Sequence, residues 1–420
     1  MFRWIYQACF AGVLCSYLPK AVYDSIKTGK YQTSYKKKLG NDLPINKDPS
    51  QPIIWLHAVS MGETRAIVRL AKLFKQRHPE YALLISSTTE TGHAEAKRSM
   101  PFADYFIYLP LDFPYFLKDA MKQFPPAIVL MSESDIWWNF LRMAKKAGAK
   151  IGIVNGKLSE RSASRLNFIP SVGKRLYENI DLCCAQSKEY SERFKTLDIP
   201  QITITGNTKF DFDAVKTEPL LKLAPETELV VLGSTHPREE EALLSQLAPL
   251  LKERANLKLV IVPRHPERFD AVYKMLETYQ VPLQRYSNFD QDQPWRILLI
   301  DAMGILGQIY RQATVAVVCG SFTPGVGGHN IVEPCLAGTP VLFGPYMETQ
   351  KELVNIVKQY GTGKQSSVEE FTKDLNTILD DKQKREELKT NCAAMVKEIQ
   401  GATERTYQAL SLWLKESAHV

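Results

Sequence analysis

Residues 320–350 constrain the fold most strongly, because their sequence predicts, in succession, a strand end, a glycine-rich loop, a short helix and a second strand. The apolar run at residues 314–319 predicts a buried parallel strand. A helix beginning near Asn330 would direct its free N–H groups and positive dipole end at a phosphate, and Glu333 on its first turn can accept hydrogen bonds from two ribose hydroxyls. The glycines that let the backbone turn tightly and approach a ligand are Gly325, Gly327 and Gly328. The segment predicts a nucleotide-sugar site; a strand-to-helix turn with an acidic cap is the alternative.

Short apolar runs recur along the chain, with helix-length amphipathic segments between most of them. This alternation predicts parallel sheets covered by helices. We expect an α/β protein with two doubly wound, Rossmann-like domains facing one another across a cleft, with ligands at the carboxyl ends of the strands. The first series of runs lies at residues 53–58, 82–87, 106–109, 127–131, 150–154, 181–185 and 202–205, and the second at 229–233, 258–262, 296–300, 315–319 and 340–343.

The charged stretch 207–228 contains Pro219 and Pro225 and no predicted strand, so we assign it as the linker. The first domain then covers residues 25–206. The second covers residues 229–420, with its last helix free to pack back on the first domain. At 420 residues the chain has the length of two ordinary domains.

Residues 1–24 are predicted to be a membrane anchor. The apolar run 5–18 is shorter than the roughly 20 residues of a usual spanning helix, so a tilted span and an interfacial helix both remain open. A signal peptide is disfavoured because no small-x-small cleavage site precedes Pro19, and a plain amphipathic core helix is the remaining alternative.

Most of the formal charge of +7 falls in the first 40 residues, where seven basic side chains face the single acid Asp24. The anchor therefore favours anionic membrane lipid as a partner and holds the main body on the cytoplasmic side. Nucleic acid is excluded as a partner, because the rest of the chain has little net charge to spread over a binding surface.

Neither a metal nor a cofactor is expected. Seven cysteines show no metal-ligand spacing and fit buried thiols in a reducing compartment. Two Asp-x-Asp pairs follow no predicted strand, and two carboxylates alone seldom specify a hard cation. These pairs are Asp211 with Asp213 and Asp290 with Asp292.

Each informative motif directly follows a predicted strand, which places all of them at the expected ligand edge of a sheet. A single such case is explained by loop chemistry or helix capping, but six cases indicate one site. The motifs are HAVSMGE at 57–63, SESDIWWN at 132–139, NGKLSERS at 155–162, GSTH at 233–236, PRHP at 263–266 and DAMG at 301–304.

Taken in order, these motifs resemble the Kdo transferases of lipopolysaccharide assembly, together with GNTKFD, the longer forms GSTHPREEE and VPRHPERF, GGHNIVEP and GTPVLFGP. The resemblance runs from the N-terminal segment to at least residue 350. It implies a GT-B fold and metal-independent, inverting transfer of 3-deoxy-D-manno-octulosonate (Kdo) from CMP-Kdo to the lipid A precursor, lipid IVA. It also implies a place at the inner membrane, with the catalytic domains on the cytoplasmic face.

The resemblance also implies roles for individual residues. Glu63 matches the proton acceptor, and Glu133 and Lys209 match two residues that stabilise the transition state. The residues that match the CMP-holding segments are Pro263, Arg264, Met303, Gly304, Ile305, Asn330, Ile331, Val332 and Glu333. Further contacts to donor or acceptor are expected from Ser60, Gly62, Ser234, Thr235, His236, Gly327 and Gly328.

Three departures from the family pattern affect these expectations. Trp138 makes the loop after Glu133 bulkier, and Pro237-Arg238 replaces a usual Glu-Gly where contacts to acceptor phosphates are expected. Ile305 replaces a common glutamate, which suggests that this stretch binds through backbone groups.

The residues themselves support the assignment of Glu63. It lies at a predicted strand end beside Gly62, where substrate can approach closely, and a pocketed carboxylate can have its pKa raised toward working pH. The alternative is an acidic residue that stabilises a helix N-terminus. Two other functions also remain open: a nucleotide-sugar 2-epimerase of the same fold, and a membrane-bound nucleotide-sugar binding protein without turnover.

Overall fold

A computed structural model describes residues 1–28, 34–211 and 218–417. The chain divides into two compact units. The first consists of Met1–Phe212 together with Ile399–Val420, and the second of Asp213–Glu398. Residues 212–217 of the predicted linker lie outside the described residues, and residues 208–210 form a 3-10 turn at the end of the first unit.

The first unit is built on a seven-stranded sheet whose neighbouring strands all pair in parallel. Its strand order is β3-β2-β1-β4-β5-β6-β7. The strands are β1 (Ile53–His57), β2 (Ala82–Ser87), β3 (Tyr105–Tyr108), β4 (Pro126–Ser132), β5 (Lys150–Gly156), β6 (Leu182–Ala185) and β7 (Gln201–Ile204). The helices are α1 (Phe2–Thr28), α2 (Tyr35–Lys38), α3 (Met61–Arg77), α4 (Glu90–Ser99), α5 (Pro114–Gln123), α6 (Trp138–Lys146), α7 (Glu160–Phe168), α8 (Pro170–Tyr177) and α9 (Lys188–Lys195).

Side chains alternate along the strands of the first unit and build one apolar layer on each face of the sheet. On β1, Ile53 and Trp55 belong to the layer that packs mainly under α5, α6 and α9, with one buried residue each from α7 and α8, whereas Ile54 and Leu56 belong to the layer under α3 and α4. Both layers are fully buried, which explains why these strands read as continuous apolar runs.

The second unit contains another parallel seven-stranded sheet, of order β10-β11-β9-β8-β12-β13-β14. Its strands are β8 (Glu228–Thr235), β9 (Leu257–Pro263), β10 (Leu283–Arg285), β11 (Ile297–Leu299), β12 (Val315–Val318), β13 (Val341–Phe343) and β14 (Gly363–Gln365). Its helices are α10 (Glu239–Glu253), α11 (Phe269–Glu277), α12 (Leu306–Tyr310), α13 (Val332–Leu336), α14 (Lys351–Tyr360), α15 (Phe371–Asp380) and α16 (Lys382–Ile399).

The last helix, α17 (Ala402–Ser417), belongs to the first unit. Leu410 and Trp413 join the apolar layer under α3 and α4. The Asp211 carboxylate accepts hydrogen bonds from the backbone N–H groups of Gly401 (2.7 Å) and Thr403 (2.6 Å), so it caps this helix.

The α/β prediction with two parallel sheets is confirmed. All twelve predicted apolar runs became strands, with ends displaced by at most two residues. The prediction missed β10 and β14, because these edge strands of three residues are polar and only partly buried. The helix expected from Asn330 begins at Val332, since the Asn330 side chain accepts a hydrogen bond from the Val332 N–H (3.1 Å).

One face of α1 packs against the first unit through three aromatic residues spaced four apart. Phe2 contacts the ring of Trp138 (5.1 Å between centroids), and Phe10 contacts Phe113 (5.3 Å). Between them, the Tyr6 hydroxyl donates a 2.6 Å hydrogen bond to the Asp112 carboxylate. Across the described parts of the chain, no helix combines the length and apolar character that crossing a bilayer requires.

Candidate functional site

Glu63 lies on the first turn of α3, directly after the loop that leaves β1. The Ser60 side chain caps this helix and accepts from the Glu63 N–H (3.3 Å). In return, the Glu63 carboxylate accepts from the Ser60 hydroxyl (2.9 Å) and the Val59 N–H (2.9 Å). The residues Ser60 to Glu63 therefore form a capping box, which is the structural alternative that the sequence left open for Glu63.

The same carboxylate also has the electrostatics of a base. Glu63 is buried, with only 8% of its surface exposed. Burial raises its pKa, the hydrogen bonds from Val59 and Ser60 oppose that rise, and the negative charges of Asp135 and Glu133 add to it. A carboxylate whose pKa is raised in this way is a stronger base than an exposed one.

Glu133 and Lys209, which the sequence predicted separately, lie in contact. The Lys209 ammonium donates a 2.7 Å hydrogen bond to the Glu133 carboxylate. Glu133 directly follows β4 with a left-handed backbone (φ +62°), a conformation that non-glycine residues adopt mainly where the surrounding structure enforces it. The Glu133 loop, residues 132–137, thus places the Glu133 carboxylate against Lys209. The same negative charge also raises the pKa of Glu63.

Asn155 helps to position Lys209, although no role was predicted for its side chain. It lies within β5, where the pairing with β6 shifts register, and has a left-handed backbone (φ +53°). Its side-chain oxygen accepts from the Thr208 N–H (3.1 Å). Asn207 accepts from the Lys209 N–H (3.0 Å), which completes the 3-10 turn. The NGKLSERS motif therefore contributes to the site through the backbone that presents Lys209.

Asp135 is a further candidate that sequence reasoning left out. Burial and the charge of Glu133 raise its pKa. Its position in SESDIWWN, two residues after Glu133, was the available signal. By contrast, Trp138 is almost completely buried and contacts Phe2 and Tyr6 of α1, so packing explains its bulk.

The glycine-rich loop of the second unit follows β12. Its backbone adopts left-handed conformations at Gly320, Gly325, Gly327 and Gly328 (φ between +74° and +104°), as glycine at these positions predicted. A side chain at Gly320 would collide with the ring of His329, and one at Gly328 with Met347.

A buried carboxylate that the sequence did not reveal holds the start of this loop. Glu239, on the first turn of α10, accepts from the N–H groups of Gly320 (2.7 Å), Ser321 (2.9 Å) and Phe322 (2.7 Å). Burial raises its pKa, while the three hydrogen bonds favour its charged form. The first acid of the Glu239-Glu-Glu run therefore acts as a brace for the loop.

Arg264 directly follows β9, and Glu333 lies on the first turn of α13, near enough for the two charges to interact. Burial raises the pKa of Glu333, and the positive charge of Arg264 opposes this rise. Within the described residues the Glu333 carboxylate makes no hydrogen bond. Arg264 is exposed, and its backbone N–H donates a hydrogen bond to the Thr235 carbonyl (3.1 Å). The pair presents one free acceptor and one free cation, which suits a nucleotide.

Two histidines meet beside Arg264. His236 Nε2 and His329 Nε2 are 2.8 Å apart, so one ring donates to the other. Burial lowers the pKa of both rings, and that of His329 falls to about 4. The nearby positive charges of Arg264 and His265 act in the same direction, so this corner favours an anionic ligand.

Some predicted CMP contacts have side chains that face the protein interior. Pro263, Ile331 and Val332 are buried, so only their backbone groups can reach a ligand. Met303 is 55% exposed and Gly304 has φ +87°, and Ile305 precedes α12. Ser234, one residue before the end of β8, has a left-handed backbone (φ +60°) at the point where the pairing with β9 shifts register.

Neither Asp-x-Asp pair offers a vacant set of ligands among the described residues. Asp211 caps α17, as above, and Asp213 lies outside those residues. Asp290 accepts from the Asp292 N–H (3.0 Å) in a surface turn. No group of three or more potential metal ligands occurs in the described parts of the chain.

A relative from Chlamydia muridarum, a 3-deoxy-D-manno-octulosonic acid transferase, is 31% identical to this chain over 424 residues, which cover 98% of both proteins. The chain belongs to the Kdo transferase family. Residues 33–212 also match the family model described as 3-deoxy-D-manno-octulosonic-acid transferase. A Haemophilus influenzae transferase of the same name is 28% identical and covers 97% of this chain and 96% of its own length.

Solved structures place the fold among GT-B proteins. A putative UDP-N-acetylglucosamine 2-epimerase from Listeria monocytogenes has a TM-score of 0.59 and 15% identity, covering 87% of this chain and 97% of its own. The UDP-GlcNAc 2-epimerase from Neisseria meningitidis has a TM-score of 0.57 and 14% identity, covering 86% and 99%. At these identities the likeness concerns the fold alone.

Proposed function

We propose that this Kdo transferase takes Kdo from CMP-Kdo and attaches it, with inversion, to a hydroxyl of a lipid A precursor such as lipid IVA. The observation that carries the proposal is the similarity to Kdo transferases over nearly the whole chain. A match of this extent includes the residues around Glu63, the Glu133–Lys209 pair and the glycine-rich loop of the second unit.

Glu63 is the proposed base. In a single displacement the acceptor hydroxyl gives its proton to the Glu63 carboxylate, and its oxygen bonds to the anomeric carbon of Kdo. The bond from that carbon to the CMP phosphate breaks at the same time, and CMP leaves with the electron pair. Burial beside Glu133 and Asp135 supports this role, because it moves the pKa of Glu63 toward the pH at which a base works best.

Lys209 is the proposed source of positive charge for the transition state. Its ammonium group has three N–H donors, one of which donates to Glu133. The remaining two can be given to negative charge on donor or acceptor as the glycosidic bond forms. Glu133 holds the lysine in place, which explains why the two residues occur together.

The second unit is proposed to hold the nucleotide. Glu333 accepts from the ribose hydroxyls, and Arg264 with the His236–His329 pair faces the phosphate. The partly buried, unpaired carboxylate of Glu333 supports the ribose contact. Backbone groups at residues 303–305 and 330–332 complete the proposed site, since the side chains of Ile331 and Val332 are buried.

We also propose that α1 attaches the protein to the inner membrane at its cytoplasmic face. The face of α1 that does not pack on the first unit exposes large apolar side chains. These include Trp4 (68% exposed), Ile5 (53%), Val13 (64%) and Tyr17 (55%). Aromatic and aliphatic groups beside basic residues favour the boundary between lipid head groups and acyl chains.

The direct test incubates the purified full chain with CMP-Kdo and a lipid A precursor, and weighs the lipid product. An increase by one or more Kdo units, with release of CMP, is expected. Consumption or isomerisation of the donor sugar without a heavier lipid would instead indicate an epimerase or hydrolase. Donor binding with neither product would indicate a binding protein without turnover.

A further inference from the structure

The junction between α7 and α8 exposes an unusual group of apolar side chains. Phe168 ends α7 with 86% of its surface exposed, and Ile169 (51%) and Val172 (39%) follow it around the turn. We name these three residues the α7–α8 corner. Contiguous exposed apolar residues of this size mark a contact surface more often than isolated ones do.

Two arginines border the corner, and neither has a salt-bridge partner among the described residues. Arg161 and Arg165 are exposed on α7, and together with Glu160, Ser164 and Phe168 they line an open hollow of about 570 Å³. The two guanidinium groups outnumber the single carboxylate, so the lining keeps a net positive charge. Salt bridges of the described residues engage Lys174 and Arg175 farther along α8, but neither Arg161 nor Arg165. A guanidinium group can donate two parallel hydrogen bonds to the oxygens of one phosphate. The hollow therefore combines groups that bind phosphate with an apolar rim.

The corner lies on the same side of the first unit as α1. The indole of Trp138 contacts the rings of Phe2 (5.1 Å) and Tyr6 (5.5 Å) of α1. Its Nε1–H donates to the Arg175 carbonyl of α8 (3.0 Å). Because one side chain joins both helices, a lipid surface that meets the free face of α1 extends naturally toward α8.

The same helix touches the Glu133 loop. The Tyr177 hydroxyl, at the end of α8, donates to the Ser134 carbonyl (3.2 Å). A bilayer held by this side of the protein would therefore lie near the Glu133 loop. This loop interacts with the proposed base Glu63 and with Lys209, which a lipid acceptor must reach. This relation rests on the proposed function.

We propose that the α7–α8 corner is a second bilayer contact, separate from α1. Phe168 and Ile169 enter the boundary between head groups and acyl chains, and Arg161 and Arg165 bind the phosphates of anionic lipid. The pattern of exposed aromatic and aliphatic groups with flanking arginines matches this boundary, where apolar and anionic groups meet.

The test measures binding of the full chain to vesicles by sedimentation. One set contains phosphatidylcholine alone, and the other contains one part phosphatidylglycerol to two parts phosphatidylcholine. Arg161→Gln with Arg165→Gln should lower the partition coefficient on the anionic set by roughly 30-fold at low salt, from about five-fold per basic residue. Binding to the neutral set should change little.

Phe168→Ser with Ile169→Ser should lower binding to both sets by at least roughly ten-fold, because it removes apolar burial. Matched controls lie on the opposite face of the sheet. Lys72→Gln with Lys97→Gln, on α3 and α4, removes the same charge, and Leu412→Ser, on α17, removes an apolar side chain that is 64% exposed. These controls should change binding by less than about two-fold, since screening limits charge effects to about 10 Å.

The corner is rejected if its arginine variant binds anionic vesicles as the unaltered chain does, or if the lysine control loses as much. Retained binding of the Phe168→Ser, Ile169→Ser variant together with altered capture of a protein partner would identify a protein-docking surface instead. The acceptor assay separates this proposal from the proposed function. Corner-dependent binding without any Kdo transfer would overturn only the function, and transfer with corner-independent binding would overturn only the corner.

Discussion

At the scale of single residues, Glu63 shows how one carboxylate can serve both folding and chemistry. Its two oxygens complete the capping box of α3, and its burial next to Glu133 and Asp135 raises its pKa. A capping role alone requires no acidic neighbours. Their presence is costly for a charged group and is therefore more readily explained by function.

Asp135→Asn should move the acid limb of the pH–rate profile to lower pH. If Glu63 is the base, activity is lost as pH falls through its pKa, which burial raises first and which the charges of Asp135 and Glu133 raise further. Removing the Asp135 charge lowers that pKa, so the variant keeps activity at a more acidic pH. An unmoved limb, or one that moves to higher pH, would show that another group controls the rate.

Glu333→Ala should weaken CMP binding through loss of the ribose acceptor. A hydrogen bond to a charged group contributes roughly 1.5–3 kcal/mol, so the dissociation constant should rise by about ten-fold or more. Titration calorimetry with CMP measures this directly, and affinity for the lipid acceptor should stay the same. Undiminished CMP affinity would remove Glu333 from the nucleotide site.

At the scale of helices and loops, α1 and α6 depend on each other. The N-cap residue of α6, Trp137, offers no side-chain hydrogen bond to the helix. Asp112, fully buried and distant in sequence, instead accepts from the N–H groups of Asn139 (3.0 Å) and Phe140 (2.8 Å). Tyr6 of α1 donates to the same carboxylate. The proposed anchor helix therefore helps to hold Asp112 in place as the cap of α6, the helix that follows the Glu133 loop.

Tyr6→Phe should loosen the start of α6. It removes one donor from a buried carboxylate, at a cost of about 1–3 kcal/mol. Hydrogen–deuterium exchange at the Asn139 and Phe140 amides should become faster, because Asp112 holds them less firmly. Tyr115→Phe is the matched control, since Tyr115 is 83% exposed. Equal exchange in both variants would mean that α1 does not support α6.

The sequence predicted elements where a pattern is local and failed where a contact is distant. Fully buried strands such as β1 and β4 read directly as apolar runs. Edge strands β10 and β14 do not, because half-buried polar residues carry no such signal. The roles of Asp112 and Glu239 were invisible for another reason: each carboxylate binds backbone N–H groups far along the chain, and only the fold brings them together.

At the scale of the whole molecule, the chain builds one parallel sheet, then another, and finally returns to the first unit with α17. Asp211, which belongs to an Asp-x-Asp pair, is used to fix this return. The Glu133–Lys209 pair and Glu63 all belong to the first unit, and the glycine loop, Arg264 and Glu333 belong to the second. The proposed chemistry and the proposed nucleotide binding are thus assigned to different units.

Replacing the exposed apolar residues of α1 should release the protein from membranes without disturbing its fold. Trp4→Ser, Ile5→Ser and Val13→Ser together leave Phe2, Tyr6 and Phe10 in place, so α1 still packs on the first unit. The membrane-bound fraction should fall, and the residual binding should weaken further with salt, because charge attraction then makes up a larger share of it. Full retention on membranes in high salt would show that α1 is not the anchor.

The most direct test of the account compares the Glu63→Gln variant with the unaltered chain, in initial rate of Kdo transfer and in CMP affinity. Glutamine keeps the shape and accepts hydrogen bonds but cannot take the acceptor proton. The rate should fall by roughly 10²–10⁴-fold or more, with CMP affinity and melting temperature nearly unchanged, and EDTA should not alter either rate if no metal takes part. A variant that transfers Kdo at the normal rate but melts earlier would contradict the account, because Glu63 would then be only a cap for α3.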